Sequence, residues 1–152
     1  LEILKGIGSL IEAPSFYANL TGRENLDIIR RILDLPKHAV DDALALVGLT
    51  EFENRLAKNY SLGMKQKLGL AQAIMEGQDI LVLDEPFNAL DYHTYQDVKS
   101  IIRMLKAEGK TIFLTSHHYK DLEQLCDIIY AIENCQLIPI TPEIVAHYQE
   151  GE

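Results

Sequence analysis

Two adjacent carboxylates that follow an apolar run offer the clearest chemistry in this sequence. Asp84 and Glu85 come directly after Ile80–Leu83, four apolar residues without alternation, as in a strand buried on both faces of a parallel sheet. Pro86 then ends the strand because it cannot donate to the ladder. Ligands of open α/β sheets bind at such strand ends. One carboxylate could help to hold Mg²⁺ and the other could orient or deprotonate a water molecule. A solvated strand end is the plainer alternative.

A second candidate is a helix N-terminus upstream of this strand. Ser61 occupies the N-cap position, Gly63 follows it, and Lys65 and Lys67 lie in the first turns. Helix N-termini carry unpaired N–H groups and partial positive charge, so they accept phosphate oxygens, and a glycine lets a ligand approach the backbone. The alternative is a capped helix with two solvated lysines.

Three further polar positions belong to the same region of the predicted fold. His117 follows a second apolar strand, Thr111–Thr115, and can reach a ligand at the same sheet edge. Glu12, after the strand-like Ile7–Ile11, adds another acceptor there. Asp91 lies in the turn after Asn88, and the alternative to a ligand contact is that it is only the N-cap of the next helix.

The order of elements predicts an α/β protein. The first half is helical: a capping box opens one helix, which continues to Pro36, and a second helix runs from Lys37 to Gly48. The second half alternates strand, helix, strand, helix, strand. Its first helix is predicted from about Tyr92 to Ala107 and its third strand over Ile128–Ile132, with a hairpin return at Leu137–Ile140. We expect the polar tail after Pro142 to be a peripheral helix. This alternation indicates βαβ units and a parallel sheet.

Composition narrows the functional classes. The 152 residues are 47% hydrophobic, enough for one domain with a core. A net charge of −9 argues against a nucleic-acid partner. No apolar stretch has the roughly 18 to 20 residues of a spanning helix. The two cysteines have no metal-ligand company and favour a reducing compartment. The chain begins with Leu1, so we expect it to be a piece of a longer protein.

The sequence contains no complete phosphate-binding loop of the Gly-x-x-x-x-Gly-Lys-Ser/Thr type. Gly109-Lys110-Thr111 matches its end, but Met104 stands where the first glycine is required. The segment also runs from helix to strand, whereas such a loop runs from strand to helix.

Taken together, these segments resemble the ATP-binding subunit of ABC transporters, of the bacterial type that exports bacitracin and lantibiotics. Tyr60–Met64 is similar to the signature sequence, and Leu81–Pro86 looks like Walker B with its catalytic glutamate. Asn88–Asp91 is similar to the D-loop, although Ala89 replaces the commoner glycine, and His117 to the switch histidine. Glu12 stands at the position of the Q-loop glutamine.

The resemblance implies a P-loop NTPase-like parallel sheet with an inserted α-helical subdomain. Residues 1–12 would end the first part of the core and lead to the Q-loop, residues 13–76 would form the helical subdomain, and residues 77–152 the second half of the core. The Walker A loop of the family would precede Leu1.

The resemblance also implies ATP and Mg²⁺ as cofactors and a role for each residue. Glu85 would polarise water, His117 would contact the γ-phosphate, Asp84 would support Mg²⁺, and Glu12 would sense Mg²⁺ or water. Ser61 and Gly63 would face the γ-phosphate held by the second copy of a homodimer. Met64, Asp91 and Glu12 would also belong to the nucleotide-binding residues.

The implied partners are a transmembrane permease and a second ATP-binding subunit, on the inner face of the cell membrane. Two alternatives stay open. This chain could be a docking or dimerisation module without catalysis, since it has no Walker A loop, or part of a soluble ABC ATPase acting on ribosomes or chromosomes.

We expect the 152-residue chain by itself to bind Mg-ATP weakly or not at all, because the lysine and amide cradle for the β- and γ-phosphates is missing from its sequence. Isothermal titration, with circular dichroism to confirm folding, measures this. A micromolar dissociation constant would contradict the assignment of roles.

Overall fold

Three short apolar segments, far apart in the sequence, pair as parallel strands. In the computed structural model, which describes residues 6–11 and 14–140, they are β1 (Ile7–Leu10), β2 (Ile80–Leu83) and β3 (Thr111–Leu114). The sheet order is β1-β2-β3. Leu10 pairs with Leu83, and Leu83 with Leu114, so all three strands end at the same level. The residues that follow the three strands therefore lie at the same edge of the sheet.

The helices form where caps and periodicity predict them. Thr21 and Glu24 make the expected capping box at the first helix. Ser61 and Asp91 cap two further helices through their side chains. The described residues form five helices: α1 (Gly22–Ile32), α2 (His38–Leu46), α3 (Leu62–Ile74), α4 (Tyr92–Ala107) and α5 (Tyr119–Leu125). Two short 3₁₀ turns, Thr50–Phe52 and Ala57–Asn59, lie in the polar connection between α2 and α3.

The core lies around the central strand β2. Leu81 and Leu83 are fully buried, as are apolar side chains of α3 and α4. Helix α3 packs directly on β1 because Gly8 has no side chain: a Cβ there would lie 1.9 Å from the carbonyl oxygen of Ala73. The helix that opens with Ser61 is thereby held against the sheet.

The helical region between β1 and α3 is fastened by polar contacts. Buried Asn25 accepts a hydrogen bond from the Tyr17 N–H (2.8 Å) and donates to the carbonyl oxygens of Tyr17 and Thr21. Arg23 bonds both Glu53 and Asp41, which raises the pKa of its guanidinium. The Asn25 bonds fix the segment around Tyr17 to the start of α1, and Arg23 ties α1 to α2 and to the connection that follows it.

The contacts divide the chain into two units, one through His117 and one from His118 onward. The second unit contains α5 and the antiparallel hairpin of β4 (Tyr130–Glu133) and β5 (Gln136–Pro139). Asn134 and Cys135, both at positive φ, make its two-residue turn. The predicted hairpin is confirmed. The strand predicted from Ile128 begins at Tyr130 and, within the described residues, pairs with β5.

The predicted fold class is confirmed: the structure combines a three-stranded parallel sheet with a helical region inserted between β1 and β2. Glu12 and the predicted helix after Pro142 lie outside the described residues. Within the residues that the structure describes, no helix has the length and apolar character needed to cross a membrane.

Candidate functional site

The sheet ladder continues one residue beyond the strands and places Asp84 beside Thr115. The Asp84 N–H donates to the carbonyl oxygen of Leu10 (2.8 Å), and the Thr115 N–H donates to that of Leu83 (3.0 Å). Both residues are therefore held by the backbone at the carboxyl edge, where a ligand of an open α/β sheet binds.

The Thr115 hydroxyl links the two candidate carboxylate residues. It donates to Asp84 Oδ1 at 2.6 Å and accepts the Glu85 backbone N–H at 2.9 Å. Sequence reasoning missed Thr115, which it treated only as the end of a strand. The available signal was that Asp84 and Thr115 are polar residues next to two consecutive predicted strands of a parallel sheet.

Glu85 turns out of the strand in a left-handed conformation, with φ of +47°. This region costs a non-glycine residue about 1–2 kcal/mol. The turn brings its carboxylate to His117: Oε1 lies 3.2 Å from Nε2. The Glu85 side chain is 24% exposed and that of His117 is 85% exposed. The carboxylate is thus shielded, while the imidazole stands in solvent.

Asp84 could hold a cation whose other ligands are not protein side chains. The hydroxyl of Thr115 occupies Oδ1, and Oδ2 has no hydrogen bond or ion pair from the described residues. Among the described residues, no group of three or more His, Cys, Asp or Glu side chains is arranged to hold a metal ion. Mg²⁺ suits this donor set because it is usually bound through one or two carboxylates together with substrate phosphates and water.

The loop after Glu85 is held by helix α3. Buried Gln66 donates from Nε2 to the carbonyl oxygen of Pro86 at 3.1 Å. Ala89, farther along the loop, has φ of +56°. Glycine adopts this conformation without the steric cost of a Cβ. The backbone at position 89 therefore explains why glycine is the commoner residue there in the family that the sequence resembles.

The N-terminus of α3 is built as the sequence predicts, but its glycine has a packing role. Ser61 is exposed and accepts the Met64 N–H at 3.2 Å. Gly63 is buried. A Cβ at position 63 would lie 2.6 Å from Cγ2 and 2.7 Å from Oγ1 of Thr94. The missing side chain therefore lets α3 approach α4, whereas a ligand contact at Gly63 stays a prediction.

Asp91 is the N-cap of α4. Its Oδ1 accepts the backbone N–H groups of His93 and Thr94, and its Oδ2 accepts the Thr94 hydroxyl at 2.7 Å. Thr94, through its hydroxyl first and then its N–H, lowers the pKa of Asp91. The N-cap alternative from the sequence is confirmed, and a contact between Asp91 and a nucleotide stays a prediction.

The structure thus gathers the sequence-predicted residues in two places. Asp84, Glu85 and His117 meet at the sheet edge. Ser61, Gly63, Met64 and Asp91 lie at the beginnings of α3 and α4, which touch through Gly63 and Thr94. An ion pair of Lys67 with Asp97 (2.5 Å) also joins these helices.

Comparison with known families identifies the family of this chain. The family model described as ABC transporter matches residues 2–88, more than half of the chain. The chain belongs to the ABC transporter family. The match includes β1, the caps Thr21 and Ser61 and the Asp84-Glu85 pair.

Individual relatives of this ABC family member have related names. The chain is 43% identical over 143 residues to the bacitracin transport ATP-binding protein BcrA of Bacillus licheniformis, covering 93% of the chain and 47% of that protein. BcrA of Enterococcus faecalis is 42% identical over 87% of the chain and 44% of its own length. The lantibiotic transport ATP-binding protein SrtF of Streptococcus pyogenes is 38% identical over 89% of the chain and 59% of its own length. The chain spans about half the length of the curated relatives it matches.

We predict that Gly63→Ala lowers stability more than Ser61→Ala does. Loss of the serine cap costs about 1 kcal/mol, whereas a methyl group at position 63 must displace Thr94 and costs about 1–3 kcal/mol through overpacking. Thr94→Ala removes the two nearest atoms, so it should recover part of this loss in the double mutant.

Urea unfolding of the three single variants and of the double mutant measures the effect. Additive losses in the double mutant would contradict the contact between α3 and α4 as its cause.

Proposed function

We propose that the full-length protein hydrolyses ATP and that this powers a membrane permease. The observation that carries the proposal is the arrangement of Asp84, Glu85 and His117 at the carboxyl edge of the sheet, joined through Thr115. Glu85 holds a left-handed backbone conformation at this edge, and strained conformations of this kind cluster at active sites.

Glu85 suits the handling of a water molecule. His117 lies against Oε1, and Oε2 has no partner among the described residues, so Oε2 is free to accept a proton from water. Partial burial of the side chain keeps the carboxylate in one place, and the contact with the imidazole fixes its orientation. The exposed edge of His117 remains available to a phosphate oxygen of the nucleotide.

Thr115 holds Oδ1 of Asp84, so Oδ2 would be the oxygen that helps to hold a cation. Mg²⁺, when bound, would neutralise charge that develops on the phosphates. Glu12, outside the described residues, is proposed as a second group near this cation.

The N-terminus of α3 supplies a second phosphate site. Its first N–H groups are only partly satisfied by Ser61, and the helix dipole favours an anion there. We propose that Ser61, Gly63 and Met64, with Asp91 close by, face the nucleotide bound by a second copy of the protein, so that the active form is a homodimer.

The exported substrate is proposed from the names of relatives. Three of them are named for transport of bacitracin or a lantibiotic, at 38–43% identity. We propose an antibiotic or antimicrobial peptide as the cargo and a transmembrane permease as the partner that brings the ATP-binding subunit to the inner face of the cell membrane. These names favour transport over a role on ribosomes or chromosomes.

The first test replaces the proposed base. In the full-length protein, Glu85→Gln should keep the affinity for ATP and lower turnover by about 10²–10⁴-fold, the usual effect of losing a general base. Phosphate release measures turnover and nucleotide fluorescence measures binding. Glu51→Gln, at an exposed position in a 3₁₀ turn, is the matched control and should behave as the parent. Turnover near the parent value in Glu85→Gln would remove Glu85 from the reaction.

A second test addresses the dimer. In the Glu85→Gln background, ATP should cause dimerisation that sedimentation velocity detects, and Ser61→Arg should block it, because a long side chain there crowds the phosphate approach. Ser61→Ala separates loss of the cap from added bulk, and Ser100→Arg places the same charge on an exposed face of α4. Normal dimerisation of the Ser61→Arg protein would refute the cross-subunit role.

A further inference from the structure

One hydroxyl group contacts both residues that the proposed reaction needs. Thr115 Oγ1 donates to the Asp84 carboxylate and accepts the Glu85 backbone N–H. We infer that Thr115 is a positioning residue for hydrolysis, setting the Asp84 carboxylate for the cation and the Glu85 backbone for the water-handling side chain. This inference rests on the proposed function.

The direction of the two hydrogen bonds fixes the hydroxyl. A threonine hydroxyl has one proton to donate. The proton lies toward Asp84 Oδ1 at 2.6 Å, and a lone pair accepts the Glu85 N–H at 2.9 Å. Rotation about the side chain would break both bonds at once, so the hydroxyl holds the two residues in one joint geometry.

For Asp84, the consequence is that one carboxylate oxygen is occupied and the other is left for a ligand. An unrestrained carboxylate would rotate and offer either oxygen. Mutation of a group that orients a metal ligand in this way typically lowers metal affinity or activity by about 10–100-fold.

For Glu85, the consequence concerns the backbone. The bond to its N–H fixes the peptide plane from which the residue turns to φ of +47°. That turn brings Oε1 within 3.2 Å of His117. Without the hydroxyl, the unfavourable left-handed conformation would lose a contact that stabilises it, and the carboxylate would sample other positions.

Thr115 is well placed for this role because it is exposed and not part of the core. Its backbone is held separately by the N–H bond to Leu83. Thr115→Val keeps the shape of the side chain and removes only the hydroxyl chemistry. Thr115→Ser keeps the hydroxyl. Thr111→Val, at the exposed first position of the same strand, is the matched control.

The experiment uses the full-length protein. We expect Thr115→Val to lower kcat and to weaken the apparent affinity for Mg²⁺, each by about 10–100-fold, while binding of ATP without Mg²⁺ stays as in the parent. Thr115→Ser and Thr111→Val should keep parent values for all three quantities. The split between Mg²⁺ affinity and metal-free ATP binding separates positioning from a general loss of structure.

A readout without metal or turnover completes the test. Hydrogen exchange of the Glu85 amide, followed by NMR in the absence of nucleotide and Mg²⁺, should accelerate in Thr115→Val and not in Thr115→Ser. Thr115→Ala compared with Thr115→Ser repeats the comparison without the branched side chain, so the inference can be tested even where valine impairs folding.

Parent-like kcat and Mg²⁺ affinity in Thr115→Val, or failure of Thr115→Ser to retain them, would overturn the inference. Glu85→Gln, measured in the same assays, distinguishes failure of the Thr115 inference from failure of the proposed function. Loss of turnover in Glu85→Gln together with parent behaviour of Thr115→Val would overturn only the role of Thr115. Full turnover in Glu85→Gln would overturn the proposed function itself.

Discussion

The in-register parallel pairing of β2 with its two neighbours is the constraint on which the site depends. Leu10, Leu83 and Leu114 align across the sheet, and the ladder extends by one bond on each side, to Asp84 and to Thr115. A slip of one residue would turn each side chain of the moved strand to the other face. Since Leu81 and Leu83 are fully buried on one face of β2, such a slip would expose them and is costly. The polar residues beyond the strand ends are therefore fixed in position as well.

The chemistry at the edge departs from regular strand geometry in one place. Glu85 adopts a left-handed conformation that costs about 1–2 kcal/mol, and two contacts offset it: the hydrogen bond from its N–H to Thr115 and the turn bond from the Asn88 N–H to its carbonyl oxygen. Each such bond contributes about 1 kcal/mol net. The strain is therefore balanced locally, and the carboxylate of the turned residue lies 3.2 Å from His117.

How much of this could be read from the sequence depends on the range of the interaction. Helix α4 has the bounds that the sequence predicts, Tyr92 to Ala107, because its cap and its apolar spacing are local signals. Asp84 and Glu85 were also found locally, as acids after an apolar run. Thr115 was missed because its importance lies in contacts over 30 and 31 residues of sequence separation. The sequence predicts that Gly63 leaves space for a ligand, whereas its contact with Thr94 is visible only in three dimensions.

The same long-range contacts join the two parts of the candidate site. Gln66 of α3 holds the carbonyl oxygen of Pro86, next to Glu85, and Gly63 of the same helix packs on Thr94, which Asp91 caps. Helix α3 thus makes two contacts. One is with the start of the loop between β2 and α4, at Pro86, and the other is with the first turn of α4, at Thr94. A phosphate bound at the N-terminus of α3 would act on a helix that also holds the carbonyl oxygen of Pro86, the residue after Glu85. Because packed elements move as units rather than deform continuously, displacement of α3 must be shared by this loop or must break the Gln66 bond.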